Sequence, residues 1–126
     1  HPWAGRRSPV SAEELARTPL VTREHGSGTR EALEHMLAGE ARGTRTQPVV
    51  ELPTTAAVRS AIAAGTAPGV LGELAVRDDL VLHRLVSVPV TGVALRRPLT
   101  AIWAAGKTPP PGPARDLVAI AAIPVP

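Results

Sequence analysis

The chain of 126 residues carries a formal net charge of +3 and is 44% apolar, yet it contains no Cys, Phe or Tyr. Its length suits one compact domain, and the lack of cysteine excludes both a disulfide framework and a thiolate metal site. The arginines are scattered from Arg6-Arg7 to Arg115 with no cluster long enough for a nucleic-acid footprint, so the charge reads as a solvated surface.

The apolar residues are mainly Ala, Val and Leu. The core is therefore built from small aliphatic groups, which suits helices packed closely on a sheet. No apolar run approaches the ~20 residues needed to span a bilayer, and nothing like a secretion signal follows His1. A reducing, cytoplasmic location and no membrane partner are expected. The first residue is His1, and the chain reads as a piece of something longer.

In chain order, His1 to Ser8 is turn-rich, and Pro9 to Ala16 reads as a short helix opened by a capping box, Ser11 with Glu14 three residues on. Thr18 to Arg23, with its apolar and β-branched Pro19-Leu20-Val21-Thr22, reads as a buried strand. A helix follows from Gly28 to about Ala38. Ala32, Leu33, Met36 and Leu37 recur at helical spacing, with Glu31, Glu34 and His35 opposite them. Ser27 or Thr29 supplies its cap, and Glu31 and Glu34 favour its positive amino end. Gly39 to Gln47 reads as a polar surface loop.

Pro48 to Leu52 is a second strand. The helix Ala56 to Ala64 comes next, with Thr54 or Thr55 at its N-cap and Gly65 just past its end. Gly69-Val70-Leu71 is a short third strand, Glu73 to Asp79 a helical turn or two, and Val81 to Val90 an extended run. Leu95 to Ala105 is a second extended stretch, Thr108 to Pro113 a stiff proline-rich connector, and Ala114 to about Ile123 a final helix with Leu117, Val118, Ile120 and Ala121 on its apolar face.

Two strand–helix units in succession predict an α/β fold with a mostly parallel sheet flanked by helices. Right-handed crossovers put both helix amino ends at one edge of that sheet, outside the carboxyl ends of the strands, where ligands bind in such folds. Ser27, Gly28 and Thr29 then share a crevice with Thr54 and Thr55. Amides and hydroxyls at a helix amino end form a seat for a small anion.

Gly26-Ser27-Gly28-Thr29 is neither a phosphate-binding Walker loop nor a dinucleotide fingerprint. His25 beside Ser27 does not make a nucleophile and base, because near neighbours in one turn rarely reach the geometry and there is no nucleophile elbow. His1, His25, His35 and His83 lack metal-ligand spacing. No catalytic residue, metal or cofactor is expected, and the residues read as a sensing site.

The order His1-Pro2-Trp3-Ala4, Ser11-Ala12-Glu13-Glu14-Leu15, Thr18-Pro19-Leu20-Val21 and Gly26-Ser27-Gly28-Thr29-Arg30 resembles the effector-binding (substrate-binding) domain of LysR-type transcriptional regulators. The resemblance continues through Glu51-Leu52-Pro53-Thr54-Thr55-Ala56-Ala57-Val58, Ala63-Ala64-Gly65, Leu85 to Val90 and Arg96-Arg97-Pro98-Leu99 to the last helix. It implies a type 2 periplasmic-binding-protein-like lobe. Residues 1–94 would be the second lobe of an effector domain. Residues 95–126 would hold the return crossover strand and a carboxyl-terminal helix belonging on the first lobe.

It also implies a small-molecule effector, expected to be an anion, a homo-oligomer (dimer or tetramer), and DNA binding only through a winged helix-turn-helix that these residues do not include. Cleft contacts carried over from the family fall on Ser27, Gly28, Thr29, Thr54, Thr66 and Pro68. The sequence departs from the family at Gly65-Thr66-Ala67-Pro68-Gly69, where Gly-hydrophobic-Gly-Ile is usual; the proline removes one amide donor. The rival readings are a solute-binding protein for transport, which shares the architecture, and, third, an α/β enzyme.

Overall fold

The computed structural model describes residues 1–39, 46–97, 100–104 and 106–123. A 3-10 turn over Pro2–Gly5 precedes a two-residue strand, β1 (Val10–Ser11), which runs directly into α1 (Ala12–Arg17). Ser11 caps α1 as its sequence predicts, its Oγ accepting from the Glu14 amide at 3.1 Å. The reciprocal half of the box is not made. The Glu14 carboxylate is instead taken by Trp3 Nε1, at 3.1 Å, and by the Arg6 guanidinium, which pin the opening turn to α1.

The organising unit is the next one. β2 (Val21–Arg23) leads into α2 (Gly28–Leu37), and β3 (Val50–Leu52) leads into α3 (Thr55–Ala63). β2 and β3 are parallel, with Val21 opposite Val50 and Arg23 opposite Leu52. Neighbouring side chains on a strand point to opposite faces, and here they join different cores. Val21 packs with Val58 and Ala67 beneath α3. Leu20 packs against a cluster of Val10, Leu15, Leu33 and Leu37 beneath α1 and α2. The two helices therefore cover opposite faces of one parallel pair, an arrangement consistent with the expected parallel strands flanked by helices.

Gly65 follows α3 with φ of +79°, the left-handed turn that a glycine at this place permits. The chain then returns along the other side of β2, where the Val21 amide donates to the Pro68 carbonyl at 2.9 Å. Only a glycine fits at the following position. A Cβ on Gly69 would lie 2.7 Å from Ile62 Cδ1 and 2.8 Å from the Val21 carbonyl oxygen.

Several predicted extents change. Residues 69–71 make no strand of their own. The expected turn or two from Glu73 is a full helix, α4 (Glu73–Val81). The predicted extended run of Val81 to Val90 is overturned over its first half, because α4 continues to Val81 and closes in a tight carboxyl-terminal turn through Leu85. Arg84 and Leu85 amides both donate to the Asp79 carbonyl, at 2.8 and 3.2 Å, and His83 takes φ of +53°. Only β4 (Val90–Thr91) is extended, paired in parallel with β1, whose two residues give it no longer partner.

Within Leu95 to Ala105, the described residues join no strand. The loop from Gly39 to Gln47 lies largely outside the described residues. The last helix, α5 (Pro113–Ala121), has the expected apolar face, but Leu117 and Ile120 on it are each 67% exposed.

Leu37 is 2% exposed, so Leu37→Ala is expected to lower unfolding free energy by roughly 2–5 kcal/mol, whereas Leu117→Ala should change it by less than about 0.5 kcal/mol. His83→Gly should raise it by about 1 kcal/mol, since a side chain is strained at positive φ and glycine is not. Urea midpoints of the three variants check all of this.

Candidate functional site

Because β2 and β3 are parallel and each is followed at once by a helix, both helices start at the same sheet edge. Two contacts tie these starts together. The Glu24 amide donates to the Leu52 carbonyl at 3.2 Å, and Arg23 Nη1 donates to Thr55 Oγ1 at 2.8 Å.

At the start of α2, Gly26 takes φ of +83°, reversing the chain. Ser27 is the N-cap residue and is only 7% exposed. Its carbonyl accepts the first helical hydrogen bond, from Glu31 at 2.9 Å, but its hydroxyl caps nothing. Among the described residues no fully buried side-chain polar atom lacks a partner. The unpartnered Ser27 Oγ therefore keeps an opening toward solvent at the helix start. Gly28 is exposed and Thr29 half-buried beside it. At the start of α3, Thr54 is exposed, its Oγ1 accepts from the Ala57 amide at 3.0 Å, and its proton stays available to an outside acceptor.

Below this edge lies a buried cation. Arg30, 8% exposed, points from the first turn of α2 under the β2–β3 end. Its Nε donates to Glu34 Oε1 at 2.9 Å, its Nη1 to the Arg23 carbonyl at 3.1 Å, and the same nitrogen pairs with Glu51 Oε1 at 2.8 Å. Nη2 lies 3.0 Å from His25 Nε2. An arginine is always a donor, so that imidazole nitrogen is the acceptor of this contact. His25 is thus a partner of Arg30, and Ser27 and His25 make no nucleophile–base pair.

The acidic group that follows β2, Glu24, is spoken for as well. Glu24 receives Arg23 Nε and Nη2, both at 2.8 Å, and this hydrogen-bonded pairing holds its carboxyl down at about 2.

The structure gathers Ser27, Gly28, Thr29 and Thr54 at one edge, but not Thr66 or Pro68. Thr66 follows the carboxyl end of α3, the far end from Thr54, and the nine residues of α3 span roughly 13 Å. Pro68 lies beside Val21, where β2 begins, and the edge that gathers Ser27 and Thr54 is where β2 ends. The parallel return of the chain after α3 causes this separation. A recess of about 190 Å³ lies elsewhere again, between α1, α2 and residues 46–48. Among the described residues, no cluster of three or more His, Asp or Glu is placed to hold a metal ion.

Sequence reasoning missed Arg30, although its spacing of four from Glu34 was a usable signal. It also missed Arg97, from the stretch after β4. Arg97 Nη1 stands 3.1 Å from where a Cβ on Gly28 would be.

Comparison with known proteins fixes the family. The model of the LysR substrate binding domain matches residues 1–122. The chain belongs to the LysR substrate-binding-domain family. An uncharacterized HTH-type transcriptional regulator of Mycobacterium tuberculosis is 48% identical over 120 residues, 94% of this chain and 38% of that protein. The HTH-type transcriptional regulator CysL of Bacillus subtilis is 36% identical over 81% of this chain and 33% of its own length. The RuBisCO operon transcriptional regulator of Allochromatium vinosum is 32% identical over 94% and 39%. The LysR domain described here thus spans between a third and two fifths of the length of these relatives. No helix among its described residues is long and apolar enough to cross a membrane.

The Arg23–Glu24 pair of this LysR domain sets a pH dependence. A carboxyl whose folded value is depressed from 4.5 to about 2 stabilises the fold fully above pH 4.5, and that contribution fades as pH falls toward 2. Unfolding midpoints followed from pH 6 to about pH 2 should therefore fall less steeply in Glu24→Gln than in the parent chain.

Proposed function

We propose that this chain is the ligand-sensing part of a LysR-type transcriptional regulator and that its effector, a small anionic metabolite, binds where α2 and α3 begin. The observation that carries this reading is Ser27, an N-cap residue nearly enclosed by protein whose hydroxyl is left unspent at a ten-residue helix. A helix amino end has unpaired amides and a partial positive charge, both of which favour an anion. Gly28 and Thr29 supply the adjoining amides and a second hydroxyl, and Thr54 a third from across the edge.

In this reading residues 1–94 form the second lobe of a type 2 periplasmic-binding-protein-like domain. Residues 95–126 carry the return crossover and the helix that belongs on the first lobe. The exposed apolar face of α5 supports that assignment, since Leu117 and Ile120 have no cover within the described chain. The effector acts by population shift, binding one arrangement of lobes better than another. The shift reaches DNA-binding heads through a homo-oligomer in the cytoplasm, and no chemical step is involved. Thr66 and Pro68 do not belong to this mouth.

The test uses the full regulator. Candidate small acids are titrated while operator binding is followed, in the parent protein and in Ser27→Ala with Thr29→Ala. Loss of two hydrogen bonds to a charged ligand should raise the half-effective concentration by ~10-fold or more. Identical titration curves for parent and variant would overturn the assignment.

A further inference from the structure

The crevice receives a contribution from a third, sequence-distant element. Arg97 lies in the irregular stretch after β4, yet its guanidinium reaches to within 3.1 Å of the Cβ position of Gly28, the first residue of α2. This is an adverse place for a cation. The amino end of a helix already carries about half a positive charge, and it favours acids over bases. No such penalty is relieved by protein carboxylates. Glu24 is held by Arg23, and Glu34 and Glu51 are held by Arg30. Glu31 sits in the same first turn, and Arg97 makes no ion pair with it or with any other acid among the described residues.

Next to Gly28 is the Ser27 hydroxyl, which makes no cap hydrogen bond and opens toward solvent although its residue is only 7% exposed. An acceptor-rich negative group at this opening would offset the cation at the helix amino end and accept from the hydroxyl as well. We propose that Arg97 is a ligand-binding residue of this crevice, supplying the fixed charge that selects a doubly charged oxyanion over a singly charged one. The inference rests on the ligand reading given above and adds to it the charge class of the ligand and the element that reads the charge.

Arginine suits the role because its planar fork offers parallel N–H donors to two oxygens of one group, a geometry lysine cannot reproduce. Binding through it also links the return stretch to α2. The ligand then bridges a segment leaving this lobe and the first turn of a helix within it, so occupancy is felt where the chain exits.

The test uses inorganic sulfate and acetate as probes, at constant ionic strength, with the Gly28, Thr29 and Arg30 amide resonances and calorimetry as readouts. Sulfate should bind more tightly than acetate in the parent chain and shift those amides. Arg97→Gln should weaken sulfate by ~10-fold or more, the scale of one charge-assisted hydrogen bond, while Arg97→Lys recovers part of the loss. Arg77→Gln, on exposed α4, should leave binding unchanged. Because Arg97 is exposed, the variant's amide spectrum away from α2 should match the parent and report an intact fold. If sulfate shifts the α2 amides equally in parent and Arg97→Gln, the role of Arg97 is overturned while the helix-end site stands. If neither anion shifts those amides in the parent, the site itself is wrong and this inference falls with it.

Discussion

The architecture depends on one buried guanidinium. Arg30 ties the first turn of α2 to the carboxyl end of β2 through the Arg23 carbonyl, to β3 through Glu51, and to the intervening turn through His25. A charge taken out of water is tolerated only when several partners surround it. Here those partners come from β2, the turn after it, α2 and β3. The angle at which α2 leaves the sheet is therefore fixed by chemistry internal to the scaffold, and the residues just above Arg30 need not spend their own polar groups on holding it.

That division of labour explains the crevice. Arg23 and Glu24 neutralise each other, and Arg30 absorbs Glu34 and Glu51. The scaffold's charges are thus paired with one another, which leaves at the edge the helix amino end, the hydroxyls of Ser27, Thr29 and Thr54, and the exposed Arg97. The relatives compared above are named as transcriptional regulators.

Much of this was legible in the residues. α2 and α3 combine an apolar stripe with a hydroxyl before it, a signal that is local in sequence and so survives without tertiary information. The β1–β4 pair was not legible. Each strand has two residues and Val10 meets Val90 across most of the chain, so nothing nearby in sequence marks the pairing. α4 was underestimated because its residues are largely exposed and show no clean stripe. Thr66 and Pro68 went astray for a topological reason. A loop that follows a helix in a parallel fold begins at the far edge, and family spacing alone does not say which edge a given residue reaches.

Gly69 carries a further implication. With Ile62 on one side and the Val21 carbonyl on the other, its bare α-carbon lets the returning backbone lie flush against β2. That seam and the crevice are at opposite ends of the same strand. A side chain at Gly69 would push that backbone away from the strand that leads into α2, so a change at this seam would be transmitted along β2 to the edge at its other end.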